Sequence, residues 1–319
     1  MRVRIKRWMA IFLAVVLACL PTACAGISES APESEYMPAI NPMTTAGGSQ
    51  TDTLTLYYPI ENENALAGYT RRARIQSSES RQQVLLRELA QQPESGLDLA
   101  AALPEGTQVG EVYSENEVLY VTLSEAFIQT PAAWANLDAQ ALAHRKQLAL
   151  YAVVNTLTHS DEYQQVQILI TSDIRTRGAR PTRGQVGFTE QADALLEPLS
   201  RNNELVFTPD TAVQILFEGA LEQNATRMRR MLAGGENRPS EQEIQNQFKQ
   251  SNAVLQRYVV TQTVISADGQ SATVYVDVAL EGQDGRTVQK FNQPVEVRQE
   301  SGIWRVEGGS IGNLLYPQI

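Results

Sequence analysis

Val154-Asn155-Thr156-Leu157-Thr158, followed by Val166-Gln167-Ile168-Leu169-Ile170, decides how this chain is read. The first piece closes a stretch of helical period from Leu137 to Leu157. Leu137, Ala141, Leu148, Ala152 and Leu157 are among its candidate core positions. The second is a short β-branched run, which reads as a strand. A long helix delivering the chain into a buried strand is the frame of a layered domain.

Working upstream, Val109–Tyr113 and Val118–Leu123 read as a hairpin across Ser114-Glu115-Asn116-Glu117. Ser80–Gln91 reads as a helix with Val84, Leu85 and Leu89 on its apolar stripe and Pro93 beyond its end. Leu54, Leu56 and Tyr58 alternate with Thr53, Thr55 and Tyr57 in a strand closed by Pro59, and Tyr69–Ile75 is a second, more basic strand. The expected first domain, residues 53–200, is one sheet with helices packed on one face.

Downstream the period is helical first and twofold afterwards. Thr208-Pro209-Asp210 opens a helix predicted to carry Val213, Leu216, Phe217, Ala220 and Leu221 and to run to Leu232, with Gly234-Gly235 as its stop. Pro239-Ser240 opens another, Glu241–Leu255. Strands follow at 258–265 and 274–280, where Val274, Val276, Val278 and Leu280 alternate with polar residues, then at 289–298 and 303–308. Asp268-Gly269 and Asp284-Gly285 mark hairpin turns, and Gly308-Gly309 reads as a turn. The expected fold class is α+β, with a second α+β domain at 203–319 built on an antiparallel sheet.

The N-terminus has a different character. Arg2, Arg4, Lys6 and Arg7 precede the apolar run Ile11–Leu20, and Leu20-Pro21-Thr22-Ala23-Cys24 follows. That order is the layout of a secretory signal peptide, and the run is shorter than the roughly 20 apolar residues that span a bilayer. It resembles a bacterial lipoprotein signal, which implies cleavage after residue 23 and lipidation of Cys24. Val16-Leu17-Ala18-Cys19 fits the same box more loosely and leaves a very short apolar segment. Residues 24–52 are rich in Ser, Pro, Gly, Glu and Thr and read as a disordered tether, with a reach of about 30 Å.

The chain has two cysteines, Cys19 and Cys24, so nothing beyond the anchor holds a disulfide or a thiolate metal site. At 43% hydrophobic residues the folded part can be stabilised by burial alone. Loss of the leader, with four basic residues and no acidic one, moves the net charge from −10 to −14. That balance argues against nucleic acid and against electrostatic binding to an anionic membrane.

The first domain resembles the GerM domain of spore-forming and other Gram-positive bacteria. The resemblance is carried by Leu54–Pro59, Leu85–Leu89, Ala102–Thr107, Val121–Ser124, and the two pieces at 154–158 and 166–170, in the family order. It implies an adaptor rather than an enzyme, similar to the ring-building folds of secretion and sporulation machinery and carried on envelope lipoproteins. The second domain resembles the nuclear-transport-factor-like cone through its element order and the Trp304 strand ending.

Residues that could carry chemistry are few. His144 and His159 lie fifteen apart along one helix and cannot share a metal. No His-Glu-x-x-His, Gly-x-Ser-x-Gly or phosphate loop is found. Asp277 is the one acid considered for the hollow of the second domain, and the alternation turns it away from the valines. Arg175, Arg177, Arg180 and Arg183 crowd one loop and are candidates for gripping an acidic partner or phosphate; the alternative is a solvated linker that offsets an acidic surface.

The expectation is a non-catalytic scaffold or assembly lipoprotein without a cofactor. It would sit on the extracytoplasmic face of the cell membrane and act in sporulation or germination. Its partners would be other envelope proteins, ring-building-fold domains among them. The alternatives are a ligand-binding module using the cone, or an accessory to an envelope sensor kinase or cell-wall machinery.

Overall fold

A computed structural model of the protein describes residues 49–235 and 238–315. Cys19 and Cys24, the leader and most of the predicted tether lie outside the described residues.

Strand β1 (Ser49–Pro59) pairs antiparallel with β2 (Leu66–Gln76), from Ser49 against Gln76 to Pro59 against Leu66. The strand expected from Thr53 therefore starts at Ser49, and the last four residues of the expected tether belong to it. Their backbone partners on β2 outweigh a composition that reads as disordered. Leu54, Leu56 and Tyr58 are buried, as the alternation requires, and Tyr57 is buried too because the end of β1 is covered on both faces. Helix α1 (Arg81–Leu89) starts on a capping box, with Ser80 and Gln83 each satisfying the other's backbone N–H. It buries Val84, Leu85, Leu86 and Leu89.

β3 (Val109–Glu115) and β4 (Val118–Ser124) form the expected hairpin, closed by Asn116 and Glu117, both at positive φ. Helix α2 (Ala139–Leu157) is capped by the Asp138 carboxylate, which accepts the Ala141 N–H at 2.8 Å. It carries the chain from β4 to β5 (Gln165–Thr171), and the two strands run parallel, as a helical crossover permits. The two-residue strand β6 (Leu199–Ser200) completes the order β3-β4-β5-β6. The single sheet expected for this half is thus two: β1 pairs with β2 alone.

The second half opens with α3 (Pro209–Leu221), Pro209 in its first turn. The one long helix expected to Leu232 is broken. Gln223 turns to φ +53 and Asn224 caps a new helix, α4 (Ala225–Met231), accepting the Arg227 N–H at 3.0 Å. Asparagine competes for backbone donors better than it continues a helix, so the local cap overrides the apolar period. Helix α5 (Glu241–Gln250) stops before Leu255, which lies in β7.

β7 (Ala253–Ile265), β8 (Ser271–Gly282), β9 (Thr287–Glu300) and β10 (Ile303–Val306) form an antiparallel meander in the order β10-β9-β8-β7. Val274, Val276, Val278 and Leu280 face the core, and α3 lies against this sheet, with the Phe217 and Tyr258 rings 5.2 Å apart. Register shifts between Leu255 and Arg257, Val260 and Gln262, and Val276 and Val278 add the local twist that curls the sheet. Gly308-Gly309, expected as a turn, instead starts helix α6 (Gly308–Leu315). Packing of α6 on β9 and β7, with Leu314 buried, overrides the poor helix propensity of glycine.

Both halves belong to one compact unit. The connecting segment is sewn to β2: the Leu66 N–H donates to Leu205 O at 2.7 Å and the Phe207 N–H to Leu66 O at 2.8 Å. Fully buried Asn155 on α2 holds the same segment, accepting the Asn202 N–H and donating to Asn202 O, both at 2.9 Å. Glu63, 6% exposed at its side chain, meets Arg227 and Arg230 across the seam, and Arg305 meets Asp98 at 2.7 Å. Gly302, at φ +84, lies so close to β2 that a Cβ there would sit 2.5 Å from Gly68 O.

Asn155→Ala should lower stability by about 1–2 kcal/mol, because it leaves two partly buried backbone groups of Asn202 without their partner. Urea midpoints measure this; a loss no larger than that of an exposed Asn→Ala control would refute the role given to Asn155.

Candidate functional site

The four loop arginines do not converge. Arg175 is exposed; its backbone N–H donates to Asp173 Oδ1 at 3.0 Å, and no carboxylate among the described residues pairs with its guanidinium. The Arg177 guanidinium lies 5.5 Å over the Tyr113 ring, and Arg180 pairs with Glu197 at 3.0 Å. Arg183 lies 4.4 Å over Phe188 and donates to Glu190 O. Bridges between Ile170 and Ala179 and between Thr182 and Leu195 pin the loop to the body.

Asp277 faces away from the valines, as the alternation requires, and accepts the Asn292 N–H at 2.7 Å. His144 is half-buried in the second turn of α2, and His159 lies beyond its end. Among the described residues no three His, Cys, Asp or Glu side chains gather as a metal site.

His159 belongs to a cluster that the sequence did not reveal. Its Nδ1 lies 3.2 Å from the Tyr57 hydroxyl and 3.4 Å from Arg201, and Arg201 also donates to the Tyr57 hydroxyl. Burial, then the charges of Arg201 and Arg81, hold His159 below the usual histidine range against the pull of Asp161. Burial pushes the Tyr57 hydroxyl up, opposed by Arg201. With Nδ1 as acceptor, the folded ring prefers to be neutral.

A second feature is a cleft of about 450 Å³. One wall is the turn Glu61-Asn62-Glu63-Asn64 between β1 and β2; the other is Trp134 and the first turns of α2. Leu137, Ala141, Arg145 and Leu148 recur every three or four residues and face it. The apolar stripe expected as core therefore divides: Leu148, Ala152 and Leu157 are buried, whereas Leu137 is 40% exposed at the cleft. Arg145 lies 5.5 Å over the Trp134 ring and donates to Ala101 O at 3.3 Å. Burial pushes its guanidinium down, opposed by the field of Glu61. A tryptophan just ahead of the Asp138 cap, with an arginine three turns on, is the sequence signal for this wall; Leu137 and Ala141, expected as core, belong to it.

Lowering the pH should weaken the fold through His159. Its folded pKa lies below the unfolded value of about 6.5, so the unfolded chain takes the proton first as pH falls. The contribution is constant above that value and is lost through it toward the lower folded value. Comparing urea midpoints of wild type and His159→Gln from pH 8 to 5 isolates the effect; parallel curves would exclude it.

Residues 55–172 match the family described as Germane: sporulation and spore germination. Tandem GerMN domains of the sporulation protein GerM from Bacillus subtilis align at 19% identity and a TM-score of 0.34, over 51% of this chain and 51% of that one. The chain thus spans about half the length of that tandem structure. The first GerMN domain of the same protein aligns at 16% identity and a TM-score of 0.28, over 48% of this chain and 98% of that one. No curated protein matches. The resemblance to the GerM domain is thus borne out over residues 55–172.

Proposed function

We propose that the protein is a lipoprotein held on the extracytoplasmic membrane face through Cys24, acting as a non-catalytic assembly factor in sporulation or germination. The observation that carries this reading is the Germane match over residues 55–172. The leader supports the location: basic residues, an apolar run and small residues end at Cys24. A tether of up to residue 48 would hold β1 clear of the headgroups.

Two strands at the ends of their sheets suit assembly. β3 and β7 are terminal strands of their sheets. A terminal strand keeps unpaired backbone groups on its outer side, which a second envelope domain can meet by strand addition.

Labelling cells with an alkyne analogue of palmitate tests the anchor. Cys24→Ser should abolish the label and release the chain from the membrane fraction, while Cys19→Ser changes neither. A released Cys19→Ser with an anchored Cys24→Ser would contradict the assignment. Crosslinking in sporulating cells tests the assembly role, which predicts a higher-mass complex; monomer alone would oppose it.

A further inference from the structure

We propose that the cleft between the 61–64 turn and the start of α2 binds a peptide carboxylate whose neighbouring side chain is apolar, with Arg145 taking the carboxylate. This goes beyond the assembly role and holds whether or not Cys24 is lipidated.

The argument starts from charge. Glu63, on one wall, is already met by Arg227 and Arg230. Arg145, on the other, has no carboxylate within ion-pair distance among the described residues. Its one hydrogen bond goes to the Ala101 carbonyl. A guanidinium withdrawn from water without a hydrogen-bonded counter-ion is costly, and an incoming anion offsets that cost. The remaining Arg145 donors form a planar fork that suits a carboxylate. The guanidinium carbon lies 5.5 Å from the Trp134 ring centroid, a cation–π contact that keeps the head group at this wall.

The apolar wall sets the rest of the ligand. Trp134, Leu137, Ala141 and Leu148 lie on the Arg145 side, and Leu137 is 40% exposed. A side chain next to the bound carboxylate would cover that surface. Asn62 and Asn64 stand on the opposite wall with amides suited to a peptide backbone. The volume, about 450 Å³, lies in the range of small-ligand sites. Glu61 also lines the cleft and its field reaches Arg145, but it makes no ion pair with it, so the guanidinium fork stays open to an incoming carboxylate. The exposed Asn62 and Asn64 amides can exchange water for a peptide backbone, which an alkyl acid does not offer, and this favours a peptide end.

Calorimetric titration of the full chain in detergent tests this with three probes: N-acetyl-leucyl-leucine, the same peptide as its C-terminal amide, and octanoate. The acid should bind saturably, with the amide and octanoate each at least about tenfold weaker. Arg145→Gln should weaken the acid by at least about tenfold, and Arg145→Lys should restore part of the loss. Leu137→Glu changes an exposed residue, so it keeps the fold even if Arg145→Gln does not, and it should abolish binding by placing a like charge at the mouth. Equal affinity for acid and amide, preference for octanoate, unchanged binding by Leu137→Glu, or no binding of the acid at millimolar concentration would each overturn the proposal.

Discussion

The C-terminal end of α2 is the constraint on which the rest of the structure depends. Asn155 grips both backbone groups of Asn202, and Thr156 Oγ1 accepts the Tyr57 N–H at 2.9 Å. One helical turn therefore fixes the end of β1, the start of the connecting segment and, through the chain that follows, the parallel strand β5. The Thr156–Tyr57 bond is buried and the Asn155–Asn202 pair is partly so, so each bond matters more by the penalty for leaving it unmade than by its own strength. The Asn-Thr-Leu piece that carried the family resemblance is thus a structural joint.

That joint makes placement consistent across the molecule. Residues 201–207 cannot swing freely, because Asn155 holds one end and Leu66 the other. The curled second sheet is then brought against β2, where the Gly302 turn lies backbone to backbone with Gly68. The Glu63–Arg227–Arg230 group forms at the same seam. The two halves thus form one compact unit, and the Trp134 cleft lies in its first half.

Much of the fold was legible in the residues. Alternation at 54–58 and 274–280 gave the right core faces, because a strand's period is local and burial follows it directly. Caps at Ser80, Asp138 and Ser240 sit where short polar residues precede helical period. The misses have two causes. Asn224 ended a helix whose apolar stripe continued, through a local cap that outweighs the period. The β1–β2 pair stayed outside the larger sheet, and Leu137 and Ala141 lined a cleft, through tertiary contacts that no window of sequence contains. The Tyr57–His159–Arg201 cluster draws on three distant segments and was out of reach for the same reason.

The central claim is that the end of α2 makes the two halves one cooperative unit. Differential scanning calorimetry of the full chain tests it most directly. The account predicts a single transition over the folded part, with calorimetric and van't Hoff enthalpies in agreement. Two resolved transitions, one for the Germane half and one for the curled sheet, would contradict it.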